Sequence, residues 1–203
     1  MANLFKNALR QTHKRSKKFS KNQDGATAIE FALVALPFFA LLFAIIELAI
    51  IFFVNSALNN ATSEAGRLIR VGQFQNCGGA TRFRQLVCEN MQGLGSCDAN
   101  LRVDVVSNPT FSSISLPNTN NVTVNPVTGL FTPPAGTFTP VIAASSPVVV
   151  QSTFYYRLVL PAQLTRLETN SGTGIRILKS TTAFRTEPFP PSTFCPPPPP
   201  PPT

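Results

Sequence analysis

From position 31 to position 54 the apolar residues of this chain run together as FALVALPFFALLFAIIELAIIFFV, with Glu47 the single ionisable member. At about 1.5 Å per residue the run spans roughly 36 Å, enough to cross a hydrocarbon core of about 30 Å with some tilt. A cleavable secretory signal has an apolar stretch of only about 7–15 residues that ends at a small-residue cleavage site. The run is too long for that and predicts a transmembrane helix. Counted from 31 to 54, the span holds Glu47 in its C-terminal half. Counted from 28 to 46, it is about 29 Å long and leaves Glu47 at the interface.

The pattern then changes character without breaking. Val54, Ala57, Leu58, Ala61, Ala65, Leu68 and Ile69 recur at steps of three and four, while Asn55, Asn59, Asn60, Ser63, Glu64, Arg67 and Arg70 fill the other positions. That spacing continues the helix as an amphipathic one to about 71, where Gly72 supplies a stop. Further on, Ala80, Phe83, Leu86, Val87 and Met91 mark a short amphipathic helix closed by Gly93. Leu101, Val103 and Val105 alternate with Arg102 and Asp104, as in a half-buried strand. Val148, Val150, Phe154, Tyr156, Leu158 and Leu160 share one face of a longer strand stopped by Pro161, and 175–185 is a third strand bounded by Gly172, Gly174 and Pro188.

Helices followed by strands with long connections make an α+β fold. Its long N-terminal transmembrane helix continues as an amphipathic helix, against which a small antiparallel sheet packs. The segment 108–147 is rich in Asn, Thr, Ser, Pro and Gly and carries no charge. It reads either as a variable solvated loop or as a surface loop that contacts partner subunits.

Charge adds topology. Residues 1–25 hold seven basic side chains against Asp24, which accounts for six of the eight net positive charges. The basic character therefore lies in a tail, not on a folded surface, and gives no reason to expect a nucleic-acid partner. The same bias places 1–25 in the cytoplasm and the residues after the span on the far side, which in a bacterium is the periplasm. His13, in that tail, is the only histidine. A Ser/His/Asp or Cys/His site, or a His-ligated zinc, is thus excluded from 26–203. The acids Glu64, Glu89, Asp98, Asp104, Glu168 and Glu187 are scattered singly. No enzyme activity and no cofactor are expected. Nine of the 19 prolines lie in the last 14 residues, including Pro196 to Pro202, so they describe a polyproline tail and say little about the fold.

The junction Gly25, Ala26, Thr27, Ala28, Ile29, Glu30, Phe31 resembles the processing site of type IV prepilin-like proteins of the Flp class. In that pattern a glycine precedes the cut, a glutamate follows five residues after it, and an aromatic comes next. Gly25, lacking a side chain, lets a membrane-embedded peptidase approach the backbone closely. Glu30 at the start of a membrane helix carries an insertion penalty that reaches about 2.5–3.5 kcal/mol at the bilayer centre, so a partner is expected. The plainer alternative is that Gly25 merely starts the helix and Glu30 snorkels to the headgroups.

Beyond the junction, Ile46, Glu47 and Leu48, then Phe52, Phe53, Val54, Asn55, Ala57 and Leu58, then Glu64 through Gln73, are similar to the run characteristic of TadE/TadG-like proteins, the pseudopilin class of the tight-adherence (Flp) pilus system. FRQLVC at 83–88, Cys97 before the strand at 101–107, and FRTEPF at 184–189 are similar as well. The resemblance implies a pilin-like protein of the bacterial inner membrane that crosses once, with a cytoplasmic N-terminus and a periplasmic domain.

Together with the charge and hydropathy patterns it divides the chain into a basic leader (1–25), a transmembrane helix (26–54), a periplasmic α+β domain (55–189) with its polar loop at 108–147, and a proline-rich tail (190–203), the loop and the tail lying outside the resemblance. It implies peptidase processing at Gly25, Ala26, Glu30 and Phe31, and a pairing of Glu30 with the N-terminal amine of a neighbouring subunit. Glu47 is a second candidate for subunit contact in the membrane, or it snorkels. The implied partners are the lipid bilayer, other pilus or pseudopilin subunits, a prepilin peptidase and an inner-membrane assembly platform. The alternative function is an unprocessed single-pass scaffold or binding module.

Cys77, Cys88, Cys97 and Cys195 all fall on the expected periplasmic side, where disulfides form, and three pairings are open. The resemblance favours Cys88 with Cys97, which leaves Cys77 with Cys195. A zinc site is the weaker alternative, because no C-x2-C spacing is present.

Overall fold

A computed structural model describes residues 26–74, 79–92, 94, 97–120, 122, 124, 131–139, 142–161 and 165–188. Gly25 and the rest of the basic leader, Cys77, Cys195 and the proline tail lie outside the described residues. The chain divides into two compact units, Met1–Ile46 and Glu47–Thr203. The second unit thus takes in 47–54, which hydropathy alone gives to the span.

The fold is α+β: α1 (Ala26–Arg70), α2 (Gly79–Asn90), a one-turn α3 (Cys97–Asn100), and three strands, β1 (Leu101–Ser107), β2 (Pro147–Arg157) and β3 (Ile175–Arg185). The strands form an antiparallel sheet in the order β1-β2-β3.

Helix α1 is continuous through Pro37. From Ile51 onward its buried apolar side chains, Ile51, Val54, Leu58, Ala61, Ala65 and Ile69, follow the three-and-four spacing of a single helix face. They join α2 (Phe83, Val87) and the inward residues of β1 and β2 in one core. The helix ends on Gly72, whose φ of 77° is a left-handed conformation that a side chain disfavours. The Gln73 amide donates to the Leu68 carbonyl (2.9 Å) and the Gly72 amide to the Ile69 carbonyl (3.1 Å), a Schellman cap. Gly66 lets β3 come close: a methyl group there would lie 3.1 Å from Thr182 Cγ2 and 3.2 Å from Phe184 Cε1.

Strand periodicity explains one face of the sheet and not the other. Leu101, Val103, Val105, Val148, Val150, Phe154 and Leu178 point toward the helices. Arg102 and Asp104, on the opposite face of β1, were expected in solvent but are buried. Described residues of the charge-free segment 108–147 lie against them. The Thr137 carbonyl accepts from the Val105 amide (2.7 Å) and the Thr139 amide donates to the Val105 carbonyl (2.9 Å), so 137–139 runs along the outer edge of β1. Gly136 makes this possible, because a Cβ there would sit 2.0 Å from the Val103 carbonyl oxygen. Farther along the same face, Tyr155, Ile175 and Ile177 are packed by Val122, Val124 and Phe131, and the Tyr155 hydroxyl donates to the Thr119 carbonyl (3.2 Å). Burial pushes the Tyr155 phenol pKa up, with Arg102 opposing the shift and Asp104 adding to it.

Beneath that cover Arg102 donates two hydrogen bonds to Asp104, Nε to Oδ2 at 2.9 Å and Nη2 to Oδ1 at 3.0 Å. Asp104 Oδ1 also accepts the Thr137 amide at 2.7 Å. Cys88 and Cys97 are joined in a disulfide that ties the end of α2 to α3 across nine residues. Loop-closure entropy gives such a short bridge a contribution of about 2.5–3 kcal/mol.

The strand at 148–160 is shorter than its apolar pattern. The ladder stops at the pair Arg157 with Ile175. The Leu158 amide then donates to the Gly174 carbonyl (2.9 Å), while the next two amides leave the sheet for a side chain of α1. In the turn before β3, the Glu168 carboxylate accepts the amides of Gly172 and Gly174, both at 2.9 Å. These two bonds hold its pKa below the usual carboxylate range. The Thr169 amide donates to the Ile175 carbonyl (2.9 Å), and Thr169 Oγ1 accepts the Ile177 amide (2.9 Å).

Candidate membrane anchor and assembly site

In the first half of α1 the large apolar side chains face outward. Ile29, Phe31, Leu33, Val34, Leu36, Phe38, Phe39, Leu41, Phe43, Ile45 and Ile46 are all exposed. A helix that is apolar all round, with its large side chains exposed, matches a hydrocarbon surrounding and not water. By length and composition α1 is the one candidate membrane span among the described residues, which suggests a single-pass anchor. Glu30 is exposed on this apolar helix four residues after its start at Ala26, and Phe31 beside it is exposed too. Within 26–46 Glu30 is the only ionisable side chain.

Glu47 behaves differently from Glu30. It is 3% exposed, and its Oε1 accepts the amides of Val159 (2.5 Å) and Leu160 (3.2 Å) just past β2. Its partners among the described residues are backbone amides more than a hundred residues away in the same chain. Oε2 is buried without a hydrogen-bond partner. Tyr156 lies near enough that the charge of Glu47 adds to burial in pushing its phenol pKa up. Sequence spacing carried no signal for this pairing. The one hint was an acidic residue inside an apolar run that a membrane alone would penalise.

At the other end of the amphipathic half, Glu64 accepts from Arg67 at 2.6 Å, one turn on and in solvent, and the pair lowers the carboxyl pKa and raises that of the guanidinium. The FRTEPF run closes the domain. Phe184 packs toward Gly66, buried Thr186 donates to the Ala143 carbonyl and accepts the Ser146 amide (both 2.9 Å), and the Glu187 amide donates to the Arg70 carbonyl (2.9 Å). Residues 184–187 thus tie the last strand to the end of α1 and to the segment before β2.

Among the described residues no three His, Cys, Asp or Glu side chains gather as a metal site. A groove between α2 and β1 is lined by Thr81, Arg84, Leu101, Arg102, Phe131 and Pro133, with no acid, histidine or cysteine on its walls.

Compared with known proteins, residues 25–67 match the family described as TadE-like protein. The match takes in the glycine of the junction, Glu30, Glu47 and most of the amphipathic half, and it stops before FRQLVC and FRTEPF. No curated protein and no solved structure matches the chain.

Proposed function

Residues 25–67 being a TadE-like segment, which suggests a component associated with the tight-adherence pilus, we propose that the chain is a minor pseudopilin. In this reading it contributes to initiation or assembly of a Flp-type pilus or a related secretion apparatus. It is held in the bacterial inner membrane by 26–46, with the basic leader in the cytoplasm and the α+β domain in the periplasm. A prepilin peptidase cuts after Gly25 and leaves a new amine on Ala26. The chain is the substrate of that reaction and performs no chemistry of its own.

The observation that carries the reading is the coincidence of the TadE-like match with an outward-facing apolar helix that holds one exposed carboxylate, Glu30, one turn in from the junction. A charged group in that position is expensive unless it is paired. The freed amine of Ala26 on a neighbouring subunit supplies the opposite charge, and the pairing fixes the axial stagger of packed helices. Other pilus subunits and the inner-membrane assembly platform are the remaining partners.

Two experiments test this. Intact mass of the membrane-extracted protein, from cells with an active prepilin peptidase, is expected to lack residues 1–25. Retention of Met1 to Gly25 in that material removes the processing claim and leaves the scaffold reading. Glu30→Ala is expected to insert in the membrane as the unaltered chain does, and to lose co-purification with pilus subunits. Undiminished co-purification would show that Glu30 does not mediate assembly.

A further inference from the structure

We propose that the turn after β2, residues 158–161, is a second point of membrane contact: an apolar tip inserted into the interfacial layer of the bilayer and held at that depth by Glu47. The inference rests on the reading of 26–46 as the membrane span and adds a contact made by the folded domain itself.

Turns between strands are normally polar, because their backbone groups and side chains both face water. This one is Leu158, Val159, Leu160, Pro161. Val159 is 81% exposed, more than any large apolar residue of the outward-facing helix. Exposed apolar side chains on a turn are common enough singly. What distinguishes this turn is the state of its backbone. The amides of Val159 and Leu160 both donate to Glu47, and proline at 161 has no amide to satisfy. A turn entering an apolar layer must have its donors satisfied within the protein, since lipid offers no acceptors. The carboxylate meets that requirement and leaves the side chains of Val159 and Pro161 pointing outward.

The depth agrees. Residues 26–46 number 21 and span about 31 Å at 1.5 Å per residue, close to the thickness of a hydrocarbon core. Glu47, and with it the amides of Val159 and Leu160, therefore falls where the hydrocarbon ends. On α1 itself Phe52 and Phe53 remain 69% and 62% exposed five and six residues further on. That is about 8–9 Å along the axis, comparable to the headgroup layer on one side of a bilayer. Both aromatics and the turn thus occupy the interfacial layer, where aromatic side chains gather. The occupant of this surface is lipid, because the patch continues an apolar run that already demands it.

The absence of tryptophan from the chain makes a direct test available. Single-tryptophan forms of the full-length protein, Val159→Trp, Leu36→Trp and Phe111→Trp, are reconstituted in phosphatidylcholine/phosphatidylglycerol vesicles with or without brominated acyl chains. All three positions are exposed, so none of the substitutions has to be fitted into the core. Leu36→Trp reports the span. Phe111→Trp, in the one-turn 3-10 helix after β1 and 47% exposed, reports the aqueous side of the domain.

The expected result is bromolipid quenching of Leu36→Trp and Val159→Trp, strongest for Val159→Trp when the bromines lie near the headgroups. Phe111→Trp should be quenched only by aqueous iodide. In the Val159→Trp background, Glu47→Ala should release the turn and reduce the bromolipid quenching. A Val159→Trp signal that responds to iodide as Phe111→Trp does, with Leu36→Trp still quenched by bromolipid, overturns this inference alone. A Leu36→Trp signal untouched by bromolipid overturns the membrane reading beneath it. Quenching at Val159→Trp that Glu47→Ala leaves unchanged overturns the role of Glu47.

Discussion

Replacing Asp104 with alanine is expected to destabilise the folded domain by about 3–5 kcal/mol, because it strands the buried guanidinium of Arg102 without a counter-charge. Both partners are buried, and the two hydrogen bonds between them are well formed at 2.9 and 3.0 Å. The same substitution removes the acceptor of the Thr137 amide, so the segment along the edge of β1 loses one of its fixings. Urea unfolding of the full chain in detergent micelles, followed by near-ultraviolet circular dichroism, measures the effect. The double variant Arg102→Met/Asp104→Leu separates the two contributions. Removing both charges should cost clearly less than Asp104→Ala alone, as replacement of a buried ion pair by apolar groups generally does. If the double variant is as damaging as the single one, the loss lies in the Thr137 fixing and not in the unpaired charge.

Phe83→Ala is the second large effect, also about 3–5 kcal/mol, from a fully buried aromatic cut back to a methyl group. Its ring meets those of Phe74 (5.2 Å between centroids, edge-on) and Phe138 (6.4 Å), which are 6.1 Å from each other. The three rings come from the residues after α1, from α2 and from the charge-free segment, so the cavity opens where three connections meet. The midpoint of the same urea titration should fall. Phe83→Leu, which keeps most of the volume, should recover more than half of the loss. A variant with an unchanged midpoint would mean that the site collapses freely onto its neighbours.

How much of this was legible differs from element to element, and the reasons are physical. The helix at 26–70 could be read because its pattern is periodic and its stop is a glycine in the left-handed conformation. The third strand was bounded by Gly172 and Gly174, both at positive φ, and these are the residues that turn the chain into β3. The burial of Arg102 was not legible. It depends on cover from 108–147, where Asn, Thr, Ser and Pro follow no period and Gly136 earns its place only through contact with Val103. Glu47 could be flagged as an anomaly from its charge, but its partners lie 112 and 113 residues away in sequence and are backbone amides, which no side-chain pattern encodes. The resemblance to TadE-like proteins reached the junction and the helix because these are local runs. FRTEPF acquires a role only when Thr186 and Glu187 are seen closing the domain.

The two borders of the sheet bear on behaviour at high density in a membrane. On β1 the border is occupied by 137–139, and the start of β3 is met by Thr169, whose amide and hydroxyl engage Ile175 and Ile177. Much of the remaining length of β3 carries Lys179 and Arg185 on exposed positions. A strand from a second copy would meet a border already taken at Val105 by 137–139 on one side and like charge on the other. With the chain anchored in a bilayer, as proposed, copies would collide often, and domains with such borders would resist knitting into a shared sheet. Ordered association would then fall to the helix, as the proposed pairing at Glu30 requires.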